Sequence, residues 1–517
     1  MMDEVVEKLK IQYNLDEELA KILYDRGLKH PDLIPVTFEP DVKNLTPPEG
    51  IVDIPKAVRK LLTAIGRREK ICVWGHEDAD GVTSTYVLRS TIDFLGGITT
   101  YYIPSKATEG HGLSKKGLEI VKDQGVKLIV TVDSGMGSVE EVEIARDMGI
   151  DVIITDHHEI PSKLPDTVVI NPKLGGTSFP YLAGVGVAFK VAWALLKVYK
   201  GWNIEQIVEK KPDLLVMAAI GTLADRVPLW NENRALYLKG RELFDSWRHP
   251  FKDAYVELKG EEPEFDVVVS IASAGKSVDG VNPSAELFFK KDKEDIKPVL
   301  EGLLKDIEAW QTKTEELLQK ALGKISRVRN YILLDMDNTE PRYLGFLASK
   351  LKDRFGVPTI VMGRKADGTV AAEVRAPKGF NSLDLLNYLS DLFIDYGGHK
   401  LASGFSMREE NLPHLVEDTE IFFKENGETI LPYDLEVDFE KFKHLLPQLE
   451  KLSSNGVELQ VKINEVSIAE IKQLVIDGVL YDPESKLSGV LLDKKASVIV
   501  LFFNGTRAIL DVQPEYE

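Results

Sequence analysis

The sequence predicts an α/β protein, in which a parallel, doubly wound sheet is joined by a long helix to a second, smaller α/β unit and a small C-terminal module. Three observations carry this. Short apolar runs of β type alternate with helical patterns from about residue 51 to 230. A stretch from Val299 to Ile325 places Leu303, Leu304, Ile307, Trp310, Leu317, Leu318 and Leu322 at helical spacing. A fresh set of strand-like runs then begins at Tyr331 to Leu334 and repeats at Thr359 to Met362.

The elements follow in order. Residues 1–50 read as a helical extension: Leu15 to Leu23 has helical spacing, Asp16 is placed to cap it, and Pro35, Pro40, Pro47 and Pro48 mark a crossing linker. Ile71 to Trp74 is a strand, followed by a helix from Val82 to Phe94 that Gly96 and Gly97 close. Thr99 to Ile103 is the next strand, and Ser114 caps a helix running through Val121 to Gly125. Leu128 to Val132 is a strand; Ser138 then heads a helix with Glu140 and Glu141 in its first turn, where negative charge suits the dipole. Val152 to Ile154 is a further strand. Residues 231–330 are mainly helical and include the linking helix, 331–429 form the second unit, and 430–517 carry short strand candidates such as Ser497 to Phe503.

Composition narrows the class. A chain of 517 residues, 44% hydrophobic and 28% charged, has the balance of a soluble globular protein with room for a few domains. No apolar stretch approaches the roughly 18 residues needed to span a bilayer. The start, Met1 to Val5, lacks the basic and apolar regions of a signal peptide, so cytoplasmic residence is expected. The single cysteine, Cys72, rules out an intramolecular disulfide and a zinc ribbon, and its place in an apolar strand makes it a buried structural thiol. A net charge of −19 argues against a nonspecific nucleic-acid coat, yet leaves room for a nuclease whose metals supply local positive charge. Many acidic residues lie after Met407, which reads as a solvated face or a docking surface.

The chemistry sits where three strands end. Ile71 to Trp74 leads into His76, Glu77, Asp78 and Asp80; Leu128 to Val132 leads into Asp133-Ser134-Gly135; Val152 to Ile154 leads into Asp156, His157 and His158. In an open parallel sheet those ends share one edge. Converging carboxylates and imidazoles repel or stay protonated unless divalent cations sit among them. The first segment is not an EF-hand, because the bidentate Glu required at the twelfth loop position is replaced by Val87. Asp133-Ser134-Gly135 alone would be an ordinary turn. Asp225 is a fourth candidate, with a salt bridge to Arg226 as the competing reading. Two cations bridged by Asp133 would account for the set and fit an in-line displacement at phosphorus.

With these residues in view, the chain resembles the DHH phosphoesterase superfamily, and within it the RecJ-type single-strand exonucleases, particularly their archaeal relatives. The resemblance extends over about residues 70–405. Lys106 to Gly112 resembles a basic-residue and Glu-Gly-aromatic-Gly element, and Leu182 to Phe189 the segment after Asn171-Pro172. Ala272 to Lys276 resembles an Asn-Ala-Ala-Gly-Arg element, and Gly397-Gly398-His399 with Ala402-Ser403-Gly404 the mark of a DHHA1-type domain. The Leu182 to Phe189 and Lys106 to Gly112 elements separate it from short-oligonucleotide and cyclic-dinucleotide phosphodiesterases of the superfamily.

The resemblance implies a DHH catalytic domain over 51–230 and a DHHA1-type nucleic-acid-binding domain over 331–429, with a cleft between the lobes tracking phosphates. It implies two divalent ions, Mn2+ first and Mg2+ second, held by His76, Asp78, Asp80, Asp133, His157 and Asp225. His76 stands where bacterial members usually have Asp. Asp156 would support the ligands and His158 would face the scissile phosphate. Lys106, Lys276, Arg375, Gly397, Gly398 and His399 would hold substrate, Lys276 replacing the usual Arg and so losing its fork. A Trp-His-x-Gly element is absent; Asn338 to Arg342 stands in its place. The implied activity is metal-dependent exonucleolysis of single-stranded DNA, or RNA, in repair or replication. The other readings are a short-substrate phosphodiesterase and a noncatalytic replication scaffold, and the intact ligand set counts against the scaffold. A replication or repair partner is implied, either a GINS-type complex or a fork-processing helicase-nuclease. Polarity, DNA against RNA, and self-association stay open.

Overall fold

The computed structural model describes residues 2–325, 330–365, 367–425, 433–467, 470, 480–481 and 496–514, so parts of the expected C-terminal module lie outside the described residues. The chain divides into two compact units, Met1–Ile307 with Asp434–Glu517, and Glu308–Tyr433.

The first unit is built on a parallel sheet of β1 (Lys70–Trp74), β2 (Ile98–Tyr102), β3 (Val126–Thr131), β4 (Asp151–Thr155) and β5 (Val168–Ile170), in the order β2-β1-β3-β4-β5. β5 is a short strand that the sequence pattern did not single out. Alternate residues face opposite sides of the sheet. Ile71 and Val73 enter one core, with Leu128, Val130 and Ile153. Cys72 and Trp74 enter the other, with Ile129, Val152 and Ile154. Burial drives the Cys72 thiol pKa far up, as expected of a structural cysteine. The helix Ala79–Phe94 packs on the first face, and Lys115–Asp123 with Val139–Asp147 on the second. The strand order reverses direction between β1 and β3, and ligands of such sheets bind at the carboxyl ends beside that switch.

Asp16 and Ser114 cap their helices as expected, accepting from the N–H groups of Glu18 and Gly117. Ser138 stands at the helix start but does not cap it; its hydroxyl accepts from Leu113 N–H at 3.1 Å and so ties down the loop after β2. The long helix runs over Lys293–Lys324, starting before Val299 and including Pro298 near its N-terminus.

The second unit holds a mixed sheet of β6 (Ile332–Asp335), β7 (Thr359–Arg364), β8 (Thr369–Arg375), β9 (Phe393–His399) and β10 (Ala402–Arg408), ordered β6-β7-β8-β10-β9. Only β6 and β7 pair in parallel. The helix Pro341–Phe355 crosses between them, with Pro341 in its first turn and Glu340 at the cap. The segment Asn338 to Arg342 therefore starts a helix.

Back in the first unit, the C-terminal strands β11 (Leu435–Asp438), β12 (Leu459–Val466), β13 (Leu480–Tyr481), β14 (Ala496–Phe503) and β15 (Thr506–Pro514) form a third sheet, ordered β11-β12-β14-β15-β13. Its core is shared with the N-terminal helices: Leu9, Leu19 and Leu23 pack with Leu445, Val461 and Val500. Arg26 bridges to Asp434 and to the Glu458 carbonyl. The two chain ends thus build one core between them.

A fully buried ion pair ties the N-terminal segment to the first sheet's helices. Lys190 Nζ lies 2.7 Å from Glu232 Oε1 and also donates to the Thr46 hydroxyl at 3.1 Å. Glu232 accepts further bonds from Thr46 N–H and the Ser178 hydroxyl. Removing one partner of a buried, hydrogen-bonded pair leaves an uncompensated charge. Lys190→Met is therefore expected to lower unfolding stability by roughly 3–5 kcal/mol, read from urea denaturation midpoints; a loss below about 1 kcal/mol would show the pair to be dispensable.

Candidate metal centre

Each strand end delivers its side chains by a distinct local device. After β1 the chain turns at Gly75, and Asp78 caps the helix Ala79–Phe94 by accepting from Gly81 N–H at 2.9 Å. Gly81 must be bare, because a Cβ there would lie 2.5 Å from His76 Cβ. This closure aims His76 Nδ1 at Asp78 Oδ2 (2.8 Å) and Asp133 Oδ2 (3.5 Å). After β3, Asp133 adopts a left-handed φ of 56°, uncommon for a side chain with a Cβ, which turns its carboxylate into the cluster. After β4, Asp156 accepts from the N–H groups of both His157 (2.7 Å) and His158 (3.1 Å), from His158 Nδ1 (2.7 Å) and from Met136 N–H (3.1 Å). Asp156 is thereby committed to shaping the turn, and it sets both imidazoles. His157 Nε2 reaches Asp133 Oδ1 at 3.1 Å, while His158 stays 58% exposed.

Asp80 is held from a fourth direction. Gly184 N–H and Val185 N–H, at the start of the helix Gly184–Lys200, donate to its two oxygens, each at 2.7 Å. A helix N-terminus is a natural cradle for a carboxylate. Gly184 also leaves room for Asp133, since a Cβ there would lie 2.7 Å from Asp133 Cβ. The Leu182 to Phe189 element thus braces two carboxylates of the centre, a role its apolar character did not suggest. Asp225 closes the helix Pro212–Ala224 and puts Oδ2 3.7 Å from His157 Nε2.

The candidate ligands assemble into overlapping groups whose donor atoms lie within 4.8 Å of one another: His76 with Asp78 and Asp133; Asp80 with His157 and Asp225; and Asp133 with His157 and His158. The donors fit cations on an observation independent of that spacing. His76 Nδ1, Asp133 Oδ1, His157 Nε2 and Asp225 Oδ2 are buried and lie in ion-pair contact at 2.8–3.7 Å, yet in a geometry that gives none of them a directed hydrogen bond. Orphaned polar atoms are costly unless something completes them. Oxygen and imidazole donors suit manganese or magnesium rather than thiophilic metals.

The electrostatics agree. Burial, then the charges of Asp133 and Asp225, raise the Asp80 pKa well above the usual carboxylate range. Burial opposes charge on His76 and His157, but the surrounding carboxylates outweigh it and push them up to about 10 and about 9. Burial likewise lifts Asp225 to about 6. The Asp156 hydrogen bond, partly offset by burial, pushes His158 up to about 9.

Of the expected substrate residues, Lys106 and Lys276 are exposed on loops of this unit. Arg375, Gly397, Gly398 and His399 belong to the second unit. There Arg375 and His399 both stand opposite Ala402 of β10, so they share one row at one end of that sheet. The Arg375 guanidinium bonds Glu373 Oε2 at 2.7 Å and the Val374 carbonyl at 2.9 Å. Gly397 and Gly398 are exposed on the edge strand β9. Two residues of the first unit escaped the sequence reading. His111 Nδ1 lies 3.0 Å from His76 Nε2, and Glu77 is buried among the same loops. Glu77 sat in view inside the acidic turn; His111 stood where an aromatic residue was expected.

A doubly wound sheet with a two-cation donor set beside its switch point defines a metal-dependent phosphoester hydrolase. The comparisons agree. The DHH family's N-terminal domain matches residues 70–222, and the DHHA1 domain matches 329–425. The single-stranded-DNA-specific exonuclease RecJ of Escherichia coli (strain K12) is 31% identical over 436 residues, 79% of this chain and 74% of that protein. RecJ of Bacillus subtilis (strain 168) is 31% identical over 425 residues, 79% of this chain, and the chain spans about half (52%) of that relative's length. A crystal structure of exonuclease RecJ bound to manganese superposes with a TM-score of 0.60 at 26% identity, covering 72% of this chain and 94% of that one. RecJ in complex with Mn2+ from Thermus thermophilus shares the fold, with a TM-score of 0.63 at 21% identity over 99% of this chain and 78% of that one. The chain belongs to the RecJ-type exonucleases of the DHH family. No helix among the described residues is long and apolar enough to cross a membrane.

Metal ligands must be deprotonated to bind. His157, whose pKa the surrounding carboxylates push up to about 9, would as a ligand have to lose its proton on loading. Manganese affinity is expected to rise with pH through neutrality and to flatten as the imidazoles deprotonate. Titration calorimetry in two buffers of different ionisation enthalpy checks this; equal heats in both, meaning no proton release, would contradict it.

Proposed function

We propose that this chain is a metal-dependent exonuclease that hydrolyses single-stranded DNA. The observation that carries the reading is the set of orphaned donors, His76 Nδ1, Asp133 Oδ1, His157 Nε2 and Asp225 Oδ2, buried together at the carboxyl edge of the sheet. His76, Asp78 and Asp133 would hold one cation; Asp80, His157 and Asp225 would hold the second, with Asp133 reaching His157 of that second group at 3.1 Å. Bound there, a pair of divalent ions, manganese or magnesium, lowers the pKa of water and stabilises both the entering and leaving oxygens of a displacement at phosphorus.

The chain's own residues supply the rest. Asp156 fixes the ring of His158 through Nδ1, so the opposite ring nitrogen is directed outward. Held cationic by Asp156, and exposed, His158 is suited to contact the scissile phosphate as a charged donor. Lys106 and Lys276 bring further positive charge to the backbone of the strand. In the second unit, Arg375 and His399 share a row beside the exposed Gly397-Gly398 backbone and would hold a longer strand. The Bacillus subtilis and Escherichia coli relatives are single-stranded-DNA-specific exonucleases, which supports the choice of substrate. A replication or repair partner, of the GINS type or a fork-processing helicase-nuclease, and a cytoplasmic site of action complete the reading on resemblance alone.

Digestion of single strands labelled at either end, with manganese, tests the activity. A labelled mononucleotide as first product from one end, and resistance of duplex, are expected. Asp133→Ala should abolish release in that assay, because it removes the carboxylate that belongs to one group and stands 3.1 Å from His157 of the other; full activity in the variant would overturn the two-cation assignment. Arg375→Ala should weaken binding of long strands roughly 10- to 100-fold, the worth of a charge-assisted hydrogen bond, while hydrolysis of di- or trinucleotides falls less. Equal loss on both would remove Arg375 from strand holding.

A further inference from the structure

We propose that Glu77 is a positioning residue, whose single buried carboxylate fixes both lysine-bearing loops, at Lys106 and at Lys276, against the metal centre. The inference rests on the reading of those lysines as phosphate contacts. Glu77 lies between His76 and Asp78 in the turn after β1, is only 7% exposed, and is not a member of any donor group. Each of its oxygens serves a different loop. Oε1 accepts from Ser277 N–H at 2.5 Å, the residue after Lys276. Oε2 accepts from the backbone N–H of Lys106 itself at 3.1 Å. These donors are 29 and 200 residues away in sequence.

Other contacts brace each loop farther along, among them Asn282 Nδ2 donating to the Gly275 carbonyl at 3.0 Å and Lys116 paired with Asp279 at 2.7 Å, while Glu77 bonds the backbone beside both lysines. The two loops also meet through Ile103 N–H and the Gly280 carbonyl at 2.9 Å, with Gly280 so close to the Tyr102 ring that a Cβ would lie 2.2 Å from it. The far end of the first loop is held through His111, 3.0 Å from His76. Both lysine side chains are exposed, and neither is paired with a carboxylate among the described residues. Their amino groups are free for phosphate, while their backbones are pinned beside the ligands. A carboxylate that accepts two N–H groups holds them more firmly than a neutral acceptor would. A glutamine could serve only one of the two loops, because its amide nitrogen is a donor.

The test is the salt dependence of binding to a fluorescent phosphorothioate oligodeoxynucleotide, with calcium as the divalent ion and thermal unfolding followed in parallel. Each phosphate contact on a single strand contributes about 0.7 to the slope of log affinity against log salt. Lys106→Ala with Lys276→Ala should lose about twice that, roughly 1.4. Glu77→Ala should lose nearly as much, and combining all three changes should lose no more. Glu77→Gln, close in shape, should fall between wild type and Glu77→Ala, and it keeps the test open if Glu77→Ala does not fold. A wild-type slope in both Glu77 variants, beside a reduced slope in the lysine pair, overturns the positioning role. A further fall in the triple variant overturns it too, since the effects would then be independent. A wild-type slope in the lysine pair shows instead that the lysines do not contact phosphate, and the inference falls with that reading.

Discussion

Three carboxylates and three imidazoles crowd around Asp133, and the repulsion within that crowd is the constraint on which the rest of the site depends. Two like charges about 4 Å apart repel by about 4 kcal/mol at an effective dielectric near 20. A few such pairs approach the roughly 5–15 kcal/mol that separates a folded domain from its unfolded chain. The cluster persists only if protons or cations share it. The raised pKa values of Asp80, Asp225, His76 and His157 describe the first condition, and the orphaned donor atoms anticipate the second.

Holding the crowd in place takes backbone as well as side chains. The helix beginning at Gly184 spends its first N–H groups on Asp80, and the absence of a side chain at Gly184 makes room for Asp133. Asp133 itself sits in a left-handed conformation, and Asp156 is used up in shaping the turn that carries both histidines. These are rigid arrangements on the ends of strands buried on both faces. Such rigidity is what a two-cation site needs, because a small misplacement of ligands weakens every bond made in the transition state.

Much of the site was legible before folding was considered. Asp78, Asp80, Asp133 and His157 each follow a short apolar run, and the rule that parallel strands present their carboxyl ends at one edge brings them together. Asp225 was undecided between a ligand and a partner of Arg226; only the packing of its helix against the helices Ala79–Phe94 and Gly184–Lys200 turns it to His157. The Leu182 to Phe189 element looked like apolar packing with glycines, because backbone N–H groups leave no trace in a sequence. Glu77 was hidden by its neighbours: three acidic residues in one turn look alike until the fold brings Lys106 and Ser277 to one of them. The shared core of the two chain ends was equally invisible, since no local pattern links Leu9 or Leu23 to Val461 or Val500.

The sequence by itself determined the strand-and-helix alternation, the residue types at each strand end and hence the kind of chemistry, because periodicity and side-chain identity are local properties. Tertiary structure alone decided which carboxylates stand within reach of one another, which one orients a histidine and which one ties loops together. Those roles depend on contacts between residues tens to hundreds of positions apart, whose geometry follows from sheet order and from where each helix begins.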